Sequence, residues 1–299
     1  MSKATREAAS VPAATLTDSK DSFESLLNSL GIDNRLVTAI KRLGFEYPTL
    51  VQSQCLPLSI EKGRDVLVQA RTGSGKTLAY AIPLIHKVLS SLSISSSSSS
   101  GTDNNKNEFV KAIVLVPTRE LCHQVHKIFT HLCMYCDDVI NIGVLLSSDS
   151  SSSKEGVMSD DITKQEAMLR DAPPILISTP ASLLRHIKQN TLDLRTSVEM
   201  VVIDEADLIL SFGYKEDVDE IIKNLPKIYQ GFLMSATLTS SGRRDDVEEL
   251  SRLVLHNPLT LKLEEEKRSE NLMQYYLEVP KLDKYMVLYV FIKVSLSAF

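Results

Sequence analysis

Residues 65–89 read DVLVQARTGSGKTLAYAIPLIHKVL. A short β-branched and apolar run from Asp65 to Gln69 enters a turn containing Gly73 and Gly75, and a helical pattern begins at Lys76. Hydrophobicity that is nearly continuous, without alternation, suits a strand covered on both faces. A helix that starts directly after such a turn has unpaired backbone N–H groups at its first residues, and these close around phosphate oxygens. Lys76 is placed to reach the outer phosphates and Thr77 to offer its hydroxyl to Mg²⁺. Ala70, Arg71, Thr72, Gly73, Ser74 and Gly75 make the rest of this cradle, with Ala70 where the general pattern has glycine.

Six more apolar runs of the same kind follow: AIVLVP from Ala112, VINIGVLL from Val139, PILIST from Pro174, MVVIDEA from Met200, FLMSAT from Phe232 and LTLKL from Leu259. Helical patterns at Lys76 to Leu89, Glu120 to Tyr135, Ala181 to Lys188 and Lys215 to Asn224 lie between them. Repeated strand–helix–strand units predict an α/β fold, a parallel sheet with helices on both faces, whose ligands bind beyond the carboxyl ends of the strands. Asp204 and Glu205 end the run from Met200. Two adjacent carboxylates at the tip of a buried strand are costly unless a cation or a reacting water faces them. Asp204 suits a Mg²⁺ partner, and Glu205 suits the group that orients and deprotonates an attacking water.

The totals are those of a globular protein: 299 residues, 43% hydrophobic and 24% charged, with a net charge of -5. A negative total excludes a protein that coats nucleic acid through its overall field, so any RNA must be held by local groups. The first 22 residues are small and polar, without the apolar segment of a secretory signal, and no run approaches the roughly 20 apolar residues of a membrane span. Four cysteines in a chain of this length predict no disulfide framework and a reducing, intracellular setting. The serine runs at 95–100 and 147–153 predict surface loops.

ARTGSGKT (70–77), PTREL (117–121), DEAD (204–207) and SAT (235–237), in that order, resemble the DEAD-box ATP-dependent RNA helicases. The resemblance implies a RecA-like ATP-binding domain, with ATP and Mg²⁺ as cofactors. GFEYPTLVQ (44–52) is similar to the adenine-reading segment, which implies that Gln52 hydrogen-bonds the base and that Phe23, farther upstream, stacks on it. Pro117, Thr118 and Arg119, with Thr179 and Pro180 of TPASLL, resemble the segments that hold the RNA sugar–phosphate backbone, so binding is expected to ignore sequence. Ser235 and Thr237 are implied to couple the two ligands through a hydrogen bond to Asp207. DEADLILSFGY, IYQGFLMSATL and LHNPLTLKL resemble nucleolar members acting in large ribosomal subunit assembly, which implies a nucleolar address and pre-ribosomal partners.

This reading divides the chain into a disordered tail (1–22), the adenine-reading segment (23–54), the ATP-binding domain (55–263) and a linker with the truncated start of a second RecA-like domain (264–299). The family's second domain supplies arginines that complete the site. No HRxGRxxR-like segment lies within these residues, so the polypeptide by itself is expected to turn ATP over weakly. The alternative is a half-motor that holds nucleotide and RNA without productive turnover. Cys122, His123, His126, His131, Cys133 and Cys136 crowd one region, but a second ligand pair at zinc spacing is missing and the stretch reads as one continuous helix; no zinc is expected.

Overall fold

The computed structural model describes residues 22–98, 110–146, 157–236, 244–263, 276–281 and 283–297. The tail 1–21, the second serine run and Thr237 lie outside them. The elements are α1 (Phe23–Ser29), α2 (Asn34–Arg42), α3 (Leu50–Ile60), β1 (Val66–Gln69), α4 (Lys76–Ser98), β2 (Ala112–Leu115), α5 (Arg119–Leu132), β3 (Ile142–Leu145), α6 (Val157–Arg170), β4 (Ile175–Ser178) and α7 (Pro180–Lys188). There follow β5 (Met200–Ile203), α8 (Ala206–Ser211), α9 (Lys215–Lys223), β6 (Gln230–Ser235), α10 (Arg244–Val254), β7 (Leu259–Lys262) and α11 (Lys284–Ser297).

All seven apolar runs become strands of one sheet, in the order β3-β4-β2-β5-β6-β1-β7, and every pairing is parallel. The five inner strands are buried almost throughout, because a helical layer covers each face, while the edge strands β3 and β7 are partly exposed. One layer carries Phe23, Leu36, Leu56, Tyr80, Ile82, Leu84 and Phe129; the other carries Leu183, Ile209, Val218, Ile221 and Leu250. Helix starts are fixed locally. Thr49 and Gln52 form a reciprocal capping box at α3, Thr118 accepts the Leu121 N–H at α5, and Pro180 opens α7 with its preset φ.

Three expectations change. Ser95 to Ser98 continue α4 and are not a loop. The cysteine- and histidine-rich stretch is not one helix, since α5 ends at Leu132 with Cys133 as its C-cap. Helix α4 is long and apolar enough to cross a membrane by composition, yet it is the central helix of the core, with Tyr80, Ile82, Leu84 and Ile85 fully buried.

Residues 1–264 form one compact unit and 265–299 another. Within the second, the described residues 276–280 form no strand, and α11 exposes Tyr285, Met286, Leu288 and Phe291.

Candidate nucleotide site

Parallel pairing brings every chemistry-bearing segment to one end of the sheet. Strand β1 delivers Ala70 to Thr77, β2 delivers Pro117 to Arg119, β4 delivers Thr179 and Pro180, β5 delivers Asp204 and Glu205, and β6 delivers Ser235. A cavity of about 370 Å³ opens there, lined by Thr72, Gly73, Gly75, Lys76, Thr77, Asp204 and Glu205. Leu43, Phe45, Leu121, Val125 and Ile128 line it too, with Gln124 and His131.

The turn owes its shape to two glycines. Gly73 and Gly75 have φ of 83° and 90°, a region that L side chains rarely occupy. A Cβ on Gly75 would lie 2.5 Å from Gln52 Nε2 and 2.9 Å from Thr49 Oγ1. Ala70 is not in that region and its methyl is buried in the core, so alanine serves where the general pattern has glycine. Gly75→Ala is therefore expected to strain the turn by about 1–3 kcal/mol, lowering the melting temperature by roughly 2–10 °C. An unchanged melting temperature, read by scanning calorimetry, would refute this account of the turn.

Lys76 is buried. Its Nζ donates to Ala70 O at 2.7 Å and Arg71 O at 3.4 Å, and lies 3.9 Å from Glu205 Oε1. Asp204 is also buried, with Oδ1 accepting the Glu205 N–H at 2.9 Å and Oδ2 accepting the Tyr80 hydroxyl at 2.9 Å. Burial pushes both carboxyls above their ordinary range, while Lys76 pulls against that shift. Glu205 stands at the N-cap of α8 in a left-handed conformation, φ 49°. Tyr80 escaped the sequence reading. Its signal was an aromatic residue with a polar tip one helical turn after Lys76, on an otherwise apolar helix face.

A carboxyl whose folded pKa is raised binds protons more tightly in the folded state, so stability falls as pH rises from the unfolded to the folded pKa. For Asp204 this penalty is absent below the ordinary value of about 3.8 and grows as pH rises above it. Asp204→Asn should therefore raise the melting temperature of the nucleotide-free protein in EDTA at pH 7, by more than it does at pH 4. A variant less stable than the parent at pH 7 would contradict this.

Other expected site residues meet mixed outcomes. Gln52 is buried behind the turn, its carboxamide nitrogen donating to Gly75 O at 3.2 Å and its oxygen accepting the Thr49 N–H at 2.9 Å. Phe23 is 0% exposed within the core, which leaves no ring face for a base. Phe45, inside the segment already singled out and 43% exposed, is the aromatic residue that lines the cavity. The hydrogen bond expected between Ser235 and Asp207 is not formed: Ser235 Oγ and Asp207 Oδ1 are both buried without partners. The link from β6 to the turn after β1 is instead backbone, Ala70 N–H to Ser235 O at 3.0 Å.

Thr118 and Arg119 are half-buried at the start of α5. Thr179 is buried, its hydroxyl donating to Ser182 Oγ at 3.1 Å, so that side chain does not face solvent. Among the described residues, no three His, Cys, Asp or Glu side chains gather as a metal cluster.

The DEAD/DEAH box helicase family matches residues 49–245, more than half of the chain. A probable ATP-dependent RNA helicase ddx56 from Dictyostelium discoideum is 41% identical over 275 residues, 92% of this chain and 36% of that protein. The ATP-dependent RNA helicase DBP9 of Saccharomyces cerevisiae is 38% identical over 297 residues, 97% of this chain and 45% of its own length. The chain thus spans less than half the length of these curated relatives. The crystal structure of a DEAD box protein from the hyperthermophile Methanococcus jannaschii superposes with a TM-score of 0.62 at 30% identity, covering 87% of this chain and 61% of the other. From its family match, its relatives and its RecA-like parallel sheet, the chain belongs to the DEAD/DEAH box helicases.

Proposed function

We propose that this chain is the ATP-binding half of an ATP-dependent RNA helicase, hydrolysing ATP in the cavity between the phosphate turn and the acidic pair. The observation that carries this is the meeting of Lys76 and Glu205 at 3.9 Å across one cavity, from strands that are not neighbours in the sheet. Backbone N–H groups from Thr72 to Thr77 hold the phosphates, and Lys76 turns from the loop carbonyls to the outer phosphate. Hard oxygen donors lining the same cavity, the Thr77 hydroxyl and the Asp204 carboxylate, suit Mg²⁺. When bound, that ion neutralises phosphate charge. Glu205 orients the water and accepts its proton, a task favoured by its raised pKa.

Phe45 takes the base-stacking role first expected of Phe23, and Gln52 sets the position of the turn as well as facing the base edge. Pro117 to Arg119, with the turn at Thr179 and Pro180, form the RNA-facing edge through backbone contacts that ignore sequence. The likeness of DEADLILSFGY, IYQGFLMSATL and LHNPLTLKL to nucleolar relatives supports action on pre-ribosomal RNA in the nucleolus.

Paired substitutions test the adenine assignment. Phe45→Ala is expected to weaken ATP affinity about tenfold, a stacking loss of order 1–1.5 kcal/mol, with little change in melting temperature. Phe23→Ala should cost about 3–5 kcal/mol of stability as a core truncation. ATP titration and thermal melts of both variants would overturn the assignment if the affinity loss followed Phe23. Preference for a guanine nucleotide over ATP would overturn the proposed function itself.

A further inference from the structure

Helix α4 meets both members of the acidic pair. Residues four apart on a helix stand one above the other on the same face. Lys76 and Tyr80 are such residues, and each reaches one carboxylate at the tip of β5. Lys76 Nζ lies 3.9 Å from Glu205 Oε1, while the Tyr80 hydroxyl donates to Asp204 Oδ2 at 2.9 Å. The two contacts differ in their exposure to a ligand. Lys76 lines the cavity, whereas Tyr80 is 0% exposed and lies outside the lining, so nothing that enters the cavity competes for its bond to Asp204.

Asp204 is fixed at three points. Its N–H donates to Leu115 O on the neighbouring strand at 2.9 Å, its Oδ1 accepts the Glu205 N–H at 2.9 Å, and its Oδ2 accepts the Tyr80 hydroxyl. Together they leave the carboxylate a single orientation. A carboxylate offers roughly four lone-pair sites, so these bonds still leave room on its oxygens for a cation or the water bound to one.

The phenol is itself held in place. Its ring packs against Phe129 of α5, with centroids 6.3 Å apart, in the same core layer as Ile82 and Leu84. Phenylalanine would fill that core equally well, so the hydroxyl adds nothing to packing. Its partner is a carboxylate that lines the cavity beside Thr77, and hydrogen bonds to ligating carboxylates from groups behind them are what orient such ligands.

We propose that Tyr80 is a positioning residue, its hydroxyl orienting the Asp204 carboxylate for the divalent cation that accompanies ATP. This role rests on the proposed function, in which Asp204 is a Mg²⁺ donor. The hydroxyl is sealed from the cavity, so its loss is expected to act through the cation and not through the nucleotide.

Tyr80→Phe removes one oxygen and keeps the ring. Binding of a fluorescent ATP analogue to the whole chain is followed as Mg²⁺ is added, and again in EDTA. The Mg²⁺ concentration at half-effect is expected to rise about tenfold or more, within the range that partners behind metal ligands carry, while affinity in EDTA is unchanged. Asp204→Asn removes the donor itself and should shift the same midpoint at least as far. Ile85→Val, a small truncation of a buried residue further along α4, keeps the hydroxyl and should leave the midpoint where it is in the parent. An unchanged midpoint in Tyr80→Phe beside a shifted one in Asp204→Asn would overturn the role of Tyr80 and leave the proposed function standing. A shift in Ile85→Val equal to that in Tyr80→Phe would assign the effect to lost packing and overturn the role as well. Midpoints unchanged in both Tyr80→Phe and Asp204→Asn would remove Asp204 from the cation, and the metal site of the proposed function would fall together with the role of Tyr80.

Discussion

Glu205→Gln should lower single-turnover ATP hydrolysis by about 10²–10⁴ while leaving ATP affinity within about threefold, because a proton acceptor is lost and little else changes. The glutamine keeps the volume of the side chain and the backbone that places it at the N-cap of α8. It cannot take a proton from water. The strained left-handed backbone at Glu205, φ 49°, supports this role, since a conformation that costs free energy persists only where its surroundings impose it. Here the Glu205 N–H is held by Asp204 Oδ1 at 2.9 Å, which turns the side chain toward Lys76. Single-turnover kinetics with protein in excess, with and without RNA, makes the measurement. If turnover fell equally in Glu205→Gln and Asp204→Asn together with affinity, the acidic pair would be a binding element and Glu205 would not be the base.

The fold could be read from the sequence because its strands are buried on both faces, which leaves runs such as AIVL and MVVI with no competing periodicity. The shape of the turn after β1 was equally legible, since Gly73 and Gly75 occupy backbone conformations that leave glycine little competition. What was misread depended on exposure, which spacing does not encode. Phe23 and Phe45 are both aromatic residues upstream of Gln52, and only packing shows that one is sealed in the core and the other lines the cavity. Ser235 and Asp207 met the same limit: the sheet brings both segments to one end, yet leaves both oxygens buried and unpaired. Tyr80 was hidden for the opposite reason, because a single hydroxyl at the tip of a core residue leaves no pattern in a helix that reads as apolar.

Lys76→Ala should weaken ATP binding by about 10–100-fold, with turnover falling further. The affinity range follows from losing a charge-assisted hydrogen bond worth roughly 1.5–3 kcal/mol. Without nucleotide, the ammonium is occupied by the carbonyls of Ala70 and Arg71, so phosphate binding exchanges one set of oxygens for another inside a buried space. That exchange makes the charge a necessary but not a sufficient requirement. Lys76→Arg keeps the charge, yet replaces a compact ammonium with a longer, planar guanidinium of fixed donor geometry. It is expected to recover less than half of the lost binding free energy. Removing the ammonium also leaves the Glu205 carboxylate without its nearest cation, which should raise its pKa further and move the acid limb of any residual pH–rate profile upward. Isothermal titration of both variants, with the pH profile of Lys76→Ala, separates the two roles. An affinity unchanged within about threefold in Lys76→Ala would mean that the triphosphate is not seated in this turn, and the motor reading would go with it.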